Sequence, residues 1–127
     1  MKFRIITNNP LVNLKYKDLY PVDHLDDATF LEILEFTRSK VHSGYEILTH
    51  PLTGSVKPGE TPFKSIIITE EATKLNFDSL KLIEDAIITT RKFILKKVNW
   101  TDKVLGDFKL IDCDIITSGI ESINQNN

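Results

Sequence analysis

The segment Ile66–Thr69 constrains the fold of this chain more than any other feature. It reads Ile-Ile-Ile-Thr, so a strand formed here presents β-branched side chains on both of its faces. A strand that is apolar on both faces is usually covered by helices on both sides of its sheet. We therefore predict that this strand is central in the sheet and buried on both faces.

The rest of the chain alternates between strand-like and helical patterns. Strand-like stretches at Phe3–Thr7, Tyr20–Leu25 and Tyr45–Leu48 are separated by segments whose apolar residues have helical spacing. Two more helical stretches follow the isoleucine strand, at about Asp78–Lys97 and from Thr101 onward. We predict an α/β fold, a single three-layer sandwich with a mostly parallel central sheet of about four strands and helices on both faces.

The composition is that of one globular domain. The chain has 127 residues, of which 41% are hydrophobic and 27% charged, and its net charge is −2. We predict a single domain over residues 1–127 with a polar tail at about 123–127. The small net charge argues against a nucleic-acid partner, and the short apolar runs argue against a membrane span. A lone cysteine is typical of a reducing compartment, so we expect a cytoplasmic protein.

The stretch Thr49–Pro62, the 49–62 loop, is the main candidate for function. It holds three of the five prolines and two of the five glycines in fourteen residues, whereas connections in compact domains are usually roughly 4–6 residues long. Proline and glycine indicate a shaped loop, and long ordered loops often carry function. The alternative is a long hairpin or crossover whose prolines only protect a sheet edge.

The ends of the predicted parallel strands indicate where a ligand would bind, because open α/β sheets bind ligands at that edge. Asn8 and Asn9 follow the first strand and open a helix, where backbone N–H groups favour an anion; plain N-capping is the alternative. The loop adds hydroxyls, N–H groups and a cation that suit a carboxylate or phosphate. If the loop instead projects away from the edge, it becomes a docking arm for a protein partner. The predicted site consists of Asn8, Asn9, His50, Thr53, Gly54, Ser55 and Lys57.

Other kinds of site lack support in the sequence. The three histidines have no metal-ligand spacing, and no dinucleotide-binding or P-loop motif is present, so we predict no metal and no cofactor. Cys113 lies between Asp112 and Asp114, whose carboxylates oppose formation of a thiolate. We predict that this thiol is dispensable.

Several of these segments together resemble the GrdX family over nearly the whole chain. The resemblance is carried by Ile5–Pro10, Leu48–Pro62, Lys64–Ile68, Asn99–Trp100 and Phe108–Asp112. The family is associated with the glycine, sarcosine and betaine reductase gene clusters of anaerobic bacteria, and no catalytic residues can be carried over from it. The resemblance implies a cytoplasmic accessory protein of that reductase system.

The expected role follows from the resemblance and the loop together. We predict a binding or assembly role through the 49–62 loop, with components of the glycine reductase complex as partners. The alternative is a small enzyme or an anionic-ligand-binding domain with its site at the strand carboxyl ends. A third interpretation is a purely structural partner that docks through the same loop.

Overall fold

The computed structural model describes residues 2–53, 59–93 and 99–125. No described helix is both long enough and apolar enough to span a bilayer. In chain order the elements are β1 (Phe3–Thr7), α1 (Pro10–Tyr16), β2 (Val22–His24), α2 (Phe30–His42), β3 (Ser65–Thr69), α3 (Phe77–Phe93) and α4 (Asp102–Gln125).

Capping residues explain where α1 and α2 begin, and a glycine explains where α2 ends. Asn9 caps α1 by accepting a hydrogen bond from the backbone of Leu11, and Pro10 fills a first-turn position that needs no N–H. Thr29 and Glu32 form a capping box at the start of α2. Gly44 follows α2 with φ +101°, and a Cβ there would lie 3.1 Å from a backbone oxygen, so only glycine suits the turn.

The sheet has three strands in the order β2-β1-β3. Strands β1 and β2 are parallel, whereas β1 and β3 are antiparallel with Thr7 opposite Ser65. Ile47 adds an isolated antiparallel bridge to Ile68 on the outer side of β3. The prediction of a mostly parallel sheet of about four strands is therefore wrong: the sheet is small and mixed, and β1 lies in its middle.

The direction of β3 follows from the connection that precedes it. Parallel neighbours need a crossover, usually a helix, whereas antiparallel neighbours can be joined by a turning loop. No helix lies in residues 49–53 or 59–64, the described parts of this connection. The chain therefore turns back after the Ile47 bridge, and β3 runs against both of its neighbours.

Helices cover both faces of the sheet because successive strand residues point to opposite sides. Ile6, Ile66 and Ile68 pack with residues of α2 and α3, including Ile33, Leu34, Val41, Ile83 and Ile87. Ile5 and Ile67 pack on the other face with residues of α1 and α4, namely Val12, Tyr16, Cys113, Ile116 and Ile120. Ile66, Ile67 and Ile68 are each 0% exposed, so the prediction of burial on both faces is confirmed. The prediction that this strand is central is wrong, because β3 is the last strand in the order β2-β1-β3.

One edge of the sheet gathers several polar segments. Strands β1 and β2 end there and β3 begins there. Helix α4 reaches the same edge, because Ser65 Oγ at the start of β3 donates to Asp112 Oδ2 at 2.7 Å. The helix continues through residues 123–125, within the segment predicted as a polar tail.

Candidate ligand-binding cleft

A cleft opens at this edge, between the start of α2, the described ends of the 49–62 loop and α4. We call it the strand-end cleft. The space between these elements measures about 360 Å³ only when the open solvent at its mouth is counted. Its apolar wall includes three phenyl rings, and its polar lining residues are Thr53, Thr61, Lys64 and Asp112. An apolar wall with a few polar groups is typical of small-molecule sites.

Asn8 fixes the backbone that carries Lys64. Its Nδ2 donates to the carbonyl oxygens of Ala28 and Pro62, both at 2.8 Å. Its Oδ1 accepts from the backbone N–H of Lys64 at 2.9 Å. An amide side chain has two N–H donors, and both are used here. Asn8 therefore joins the end of β1 to the two sides of the cleft.

Asn9 holds the side chain of Asp112 in place in a similar way. Its Oδ1 caps α1, while its Nδ2 donates to Lys109 O at 2.9 Å and to Asp112 Oδ2 at 3.0 Å. These bonds tie the start of α1 to the middle of α4. Asn9 is 0% exposed, so the amide acts inside the protein and positions the carboxylate.

Two hydroxyls complete the support of Asp112. Ser65 Oγ donates to Asp112 Oδ2 at 2.7 Å, and Thr7 Oγ1 lies 2.7 Å from Ser65 Oγ. Because the single hydroxyl proton of Ser65 goes to the carboxylate, the Thr7 hydroxyl must donate to Ser65. Thr7 Oγ1 in turn accepts from the backbone N–H of Asn9 at 2.9 Å. The chain of hydrogen bonds thus runs in one direction and ends on Asp112.

Lys64 and Asp112 are buried groups of opposite charge. Burial lowers the pKa of Lys64 to about 8, and the nearby Asp112 opposes this shift. Burial raises the pKa of Asp112, against the hydrogen bonds from Asn9 and Ser65 and the charge of Lys64. Among the described residues, no ion pair joins the two side chains directly. Strongly perturbed titratable groups in a cleft are typical of functional sites.

The cleft therefore offers two kinds of recognition in an environment that is poor in water. The Lys64 ammonium suits a carboxylate or phosphate oxygen, and the Asp112 carboxylate suits an N–H donor. Lys64 Nζ lies 5.9 Å from the centre of the Phe30 ring, and Lys109 Nζ lies 5.7 Å from that of Phe63. Lys109 thus adds a second positive charge close to the cleft, although it does not line it.

The comparison with protein families agrees with the resemblance seen in the sequence. The model of the GrdX-like protein family matches residues 4–121. The chain belongs to the GrdX-like family. Searches of curated proteins and of solved structures gave no match.

The residues predicted for the site occupy different positions in this GrdX-like protein. Asn8 and Asn9 lie beneath the strand-end cleft, and Thr53 lines it. His50 is exposed and does not line the cleft; its Nδ1 accepts from the backbone N–H of Leu52 at 3.1 Å. Gly54, Ser55 and Lys57 lie outside the described residues. Their role in the site stays a prediction.

The sequence reasoning overlooked Lys64 and Asp112. A signal for each exists in the sequence. Lys64 stands directly before the buried isoleucine strand, and Asp112 lies four residues after Phe108, on an apolar face of a helix. A charged residue in such a place needs a partner or a function.

The structure also bears on metal binding and on the reactivity of the Cys113 thiol. Among residues 2–53, 59–93 and 99–125, no three His, Cys, Asp or Glu side chains are grouped closely enough to hold a metal ion. Cys113 is buried against the α1 and α4 face of the sheet, and burial raises the pKa of its thiol. Burial, and not chiefly the neighbouring carboxylates, is what opposes a thiolate here.

Proposed function

We propose that this GrdX-like protein is an accessory protein of the glycine, sarcosine and betaine reductase system, and that it acts by binding a small carboxylate-bearing ligand in the strand-end cleft. Membership of the family over residues 4–121 supports the reductase context. We place the protein in the cytoplasm, where a lone reduced cysteine is usual.

The observation that carries the ligand proposal is Lys64. This lysine is 6% exposed and lines the cleft, and its Nζ has no hydrogen bond or ion pair to another described residue. Its ammonium group lies over the Phe30 ring, 5.9 Å from the ring centre, and this contact replaces only part of the hydration of a free lysine, so the charged form is disfavoured. A ligand carboxylate would supply the missing charge and hydrogen bonds, and its contact would raise the pKa of Lys64 again.

The 49–62 loop connects the ligand to a partner protein in this proposal. Thr53 and Thr61 stand at the two described ends of the loop and both line the cleft. A ligand bound there would touch both threonines, so a partner that contacts these described parts of the loop would bind differently when the cleft is filled. Components of the reductase complex are the partners that we propose.

Binding of acetate is the direct test of the ligand site. We expect acetate to shift the backbone amide signals of Lys64 and Ile111 saturably in an NMR titration of the isotope-labelled protein. Lys64→Met keeps the length of the side chain and removes the charge, so it should weaken acetate binding about tenfold or more, as loss of a charge-assisted hydrogen bond does. Lys81→Met removes an exposed lysine on α3 and is the matched control. Equal affinity in all three proteins would contradict the proposal.

The reductase context needs a cellular test. A strain that lacks this protein and ferments glycine should lose glycine reductase activity in its extract. Wild-type protein and Lys81→Met should restore the activity, whereas Lys64→Met should not. Unchanged reductase activity in the deletion strain would contradict an accessory role, whatever the cleft binds.

A further inference from the structure

We propose that the strand-end cleft binds a small zwitterion, with its carboxylate at Lys64 and its ammonium group at Asp112. This inference rests on the proposed carboxylate site and extends it by naming the second charge of the ligand. It concerns the class of amino acids and other small molecules that carry both charges.

The first argument is that two opposite charges line one cleft without joining each other. Lys64 is 6% exposed and Asp112 is 8% exposed. A purely structural pair would gain most from direct contact, because attraction between charges grows as their separation falls. No direct ion pair joins them among the described residues. Two opposite charges that line one cleft without direct contact suit a molecule that carries the reverse pair.

The second argument is that Asp112 is held in place by the protein. Both of its side-chain hydrogen bonds end on Oδ2, from Asn9 Nδ2 at 3.0 Å and from Ser65 Oγ at 2.7 Å. Asn9 follows the end of β1 and Ser65 begins β3, so both donors belong to the edge of the sheet. A carboxylate that is fixed in advance loses little conformational freedom when a ligand binds.

The third argument is charge balance. A simple anion at Lys64 would be repelled by Asp112, and a simple cation at Asp112 would be repelled by Lys64. A zwitterion satisfies both groups at once, so each charge also disfavours the wrong ligand. The phenyl rings of Phe30, Phe63 and Phe108 reduce the water around the pair, which strengthens both attractions.

Glycine, acetate and methylamine form a matched set of probes for this inference, because all three are small and they differ in charge. Acetate lacks the ammonium group of glycine, and methylamine lacks its carboxylate.

The test is an NMR titration of the full chain with each of these three probes near pH 7. We expect glycine to bind about tenfold or more tightly than acetate, since it adds one charge-assisted contact. Methylamine should bind more weakly than glycine by a similar factor. This comparison uses the wild-type protein, so it does not depend on any variant folding.

Variants of Lys64 and Asp112 test which residue binds each charge of the ligand. Asp112→Asn should weaken glycine binding about tenfold. It should leave acetate binding unchanged or make it tighter, because the variant lacks the carboxylate that repels acetate. Asp114→Asn removes an exposed carboxylate on the same helix and is the matched control. Lys64→Met should weaken the binding of glycine and of acetate alike. Well-dispersed amide spectra of each variant confirm that it is folded.

The possible failures are distinguishable. If acetate binds as tightly as glycine and both depend on Lys64, the zwitterion is excluded while the carboxylate site stands. If Asp112→Asn weakens acetate as much as glycine, Asp112 is not the ammonium partner and the inference is overturned. If neither acetate nor glycine binds saturably, the proposed carboxylate site fails and the inference fails with it.

Discussion

The side-chain amide of Asn9 donates to Asp112 Oδ2 at 3.0 Å, which joins positions 103 residues apart in the sequence. The same amide group donates to Lys109 O, and its oxygen caps α1. One buried side chain thus fixes the start of a helix, the middle of another helix and the carboxylate of the strand-end cleft.

Replacement of Asn9 should therefore cost more than the loss of a helix cap alone. Asn9→Ala removes the cap and the hydrogen bonds to Lys109 O and Asp112, which keeps only its side-chain donor Ser65. We expect a loss of about 2–4 kcal/mol in the free energy of unfolding, from the cap and from the lost buried hydrogen bonds.

Asn76→Ala is the matched control for this prediction. Asn76 caps α3 by accepting from the backbone N–H of Ser79 at 2.8 Å, and its loss should cost about 1 kcal/mol. Urea unfolding of both variants checks the difference. A cost for Asn9→Ala no greater than that for Asn76→Ala would show that the link to α4 contributes nothing.

The buried lysine should give the protein a distinct pH dependence of stability. Below about pH 8 the folded and unfolded chains both hold the Lys64 proton, and the folded state bears the full cost of burying it. Between about pH 8 and the ordinary value of 10.5, the folded state releases the proton first. The contribution of Lys64 to the free energy of unfolding therefore rises with pH through that window, by at most about 3 kcal/mol.

Lys64→Met should remove this rise. At pH 7 the variant should be more stable than the wild type, and the difference should shrink as the pH approaches 10. Urea unfolding at several pH values measures it, with Lys81→Met as the exposed control. A difference that stays constant with pH would mean that the pKa of Lys64 is not lowered.

The middle of β3 should be highly sensitive to truncation. Ile67 is 0% exposed on the face covered by α1 and α4. Ile67→Ala should cost about 2–5 kcal/mol through lost burial and the cavity that remains. Ile88→Ala, at a side chain that is 53% exposed on α3, should stay within about 0.5 kcal/mol. Similar denaturation midpoints for the two variants would contradict the packing.

The single thiol should be inert in the folded protein. Cys113 is 5% exposed, and burial raises the pKa of its thiol. We expect a disulfide reagent such as DTNB to react at least about tenfold more slowly with the native protein than with the protein in urea, because reaction requires opening of the core. Cys113→Ser supplies the blank and should retain support of reductase activity. Immediate labelling of the native thiol would refute the prediction.

Local patterns predicted the elements of this fold well. The first strand was expected at Phe3–Thr7 and β1 has those bounds, while α3 begins at Phe77, one residue before its predicted start. Hydrophobic spacing and caps act over a few residues, so they can be recognised without the tertiary structure. The segment Tyr45–Leu48 was less well predicted, because its pattern suits a strand but only Ile47 forms a bridge.

The candidate site was predictable only in its place. The sequence indicated the edge of the sheet where Asn8 and Asn9 lie, and Thr53 does line the cleft there. It did not indicate Lys64 and Asp112. A charged residue that interrupts an apolar pattern does not show which residue it will contact in the folded protein. Only the packing of α4 across that edge brings the carboxylate to the lysine.

The sequence by itself determined most of the segments that form helices and strands, with Tyr45–Leu48 as an exception. It also determined that Ile66–Ile68 is buried on both faces, because these properties depend on periodicity within each segment. The tertiary structure alone decided the direction of β3 and the meeting of Asn9, Lys64 and Asp112. A period of two residues is the same for a strand read in either direction, so the pattern cannot distinguish parallel from antiparallel pairing. Contacts across 103 residues arise only when the layers pack together.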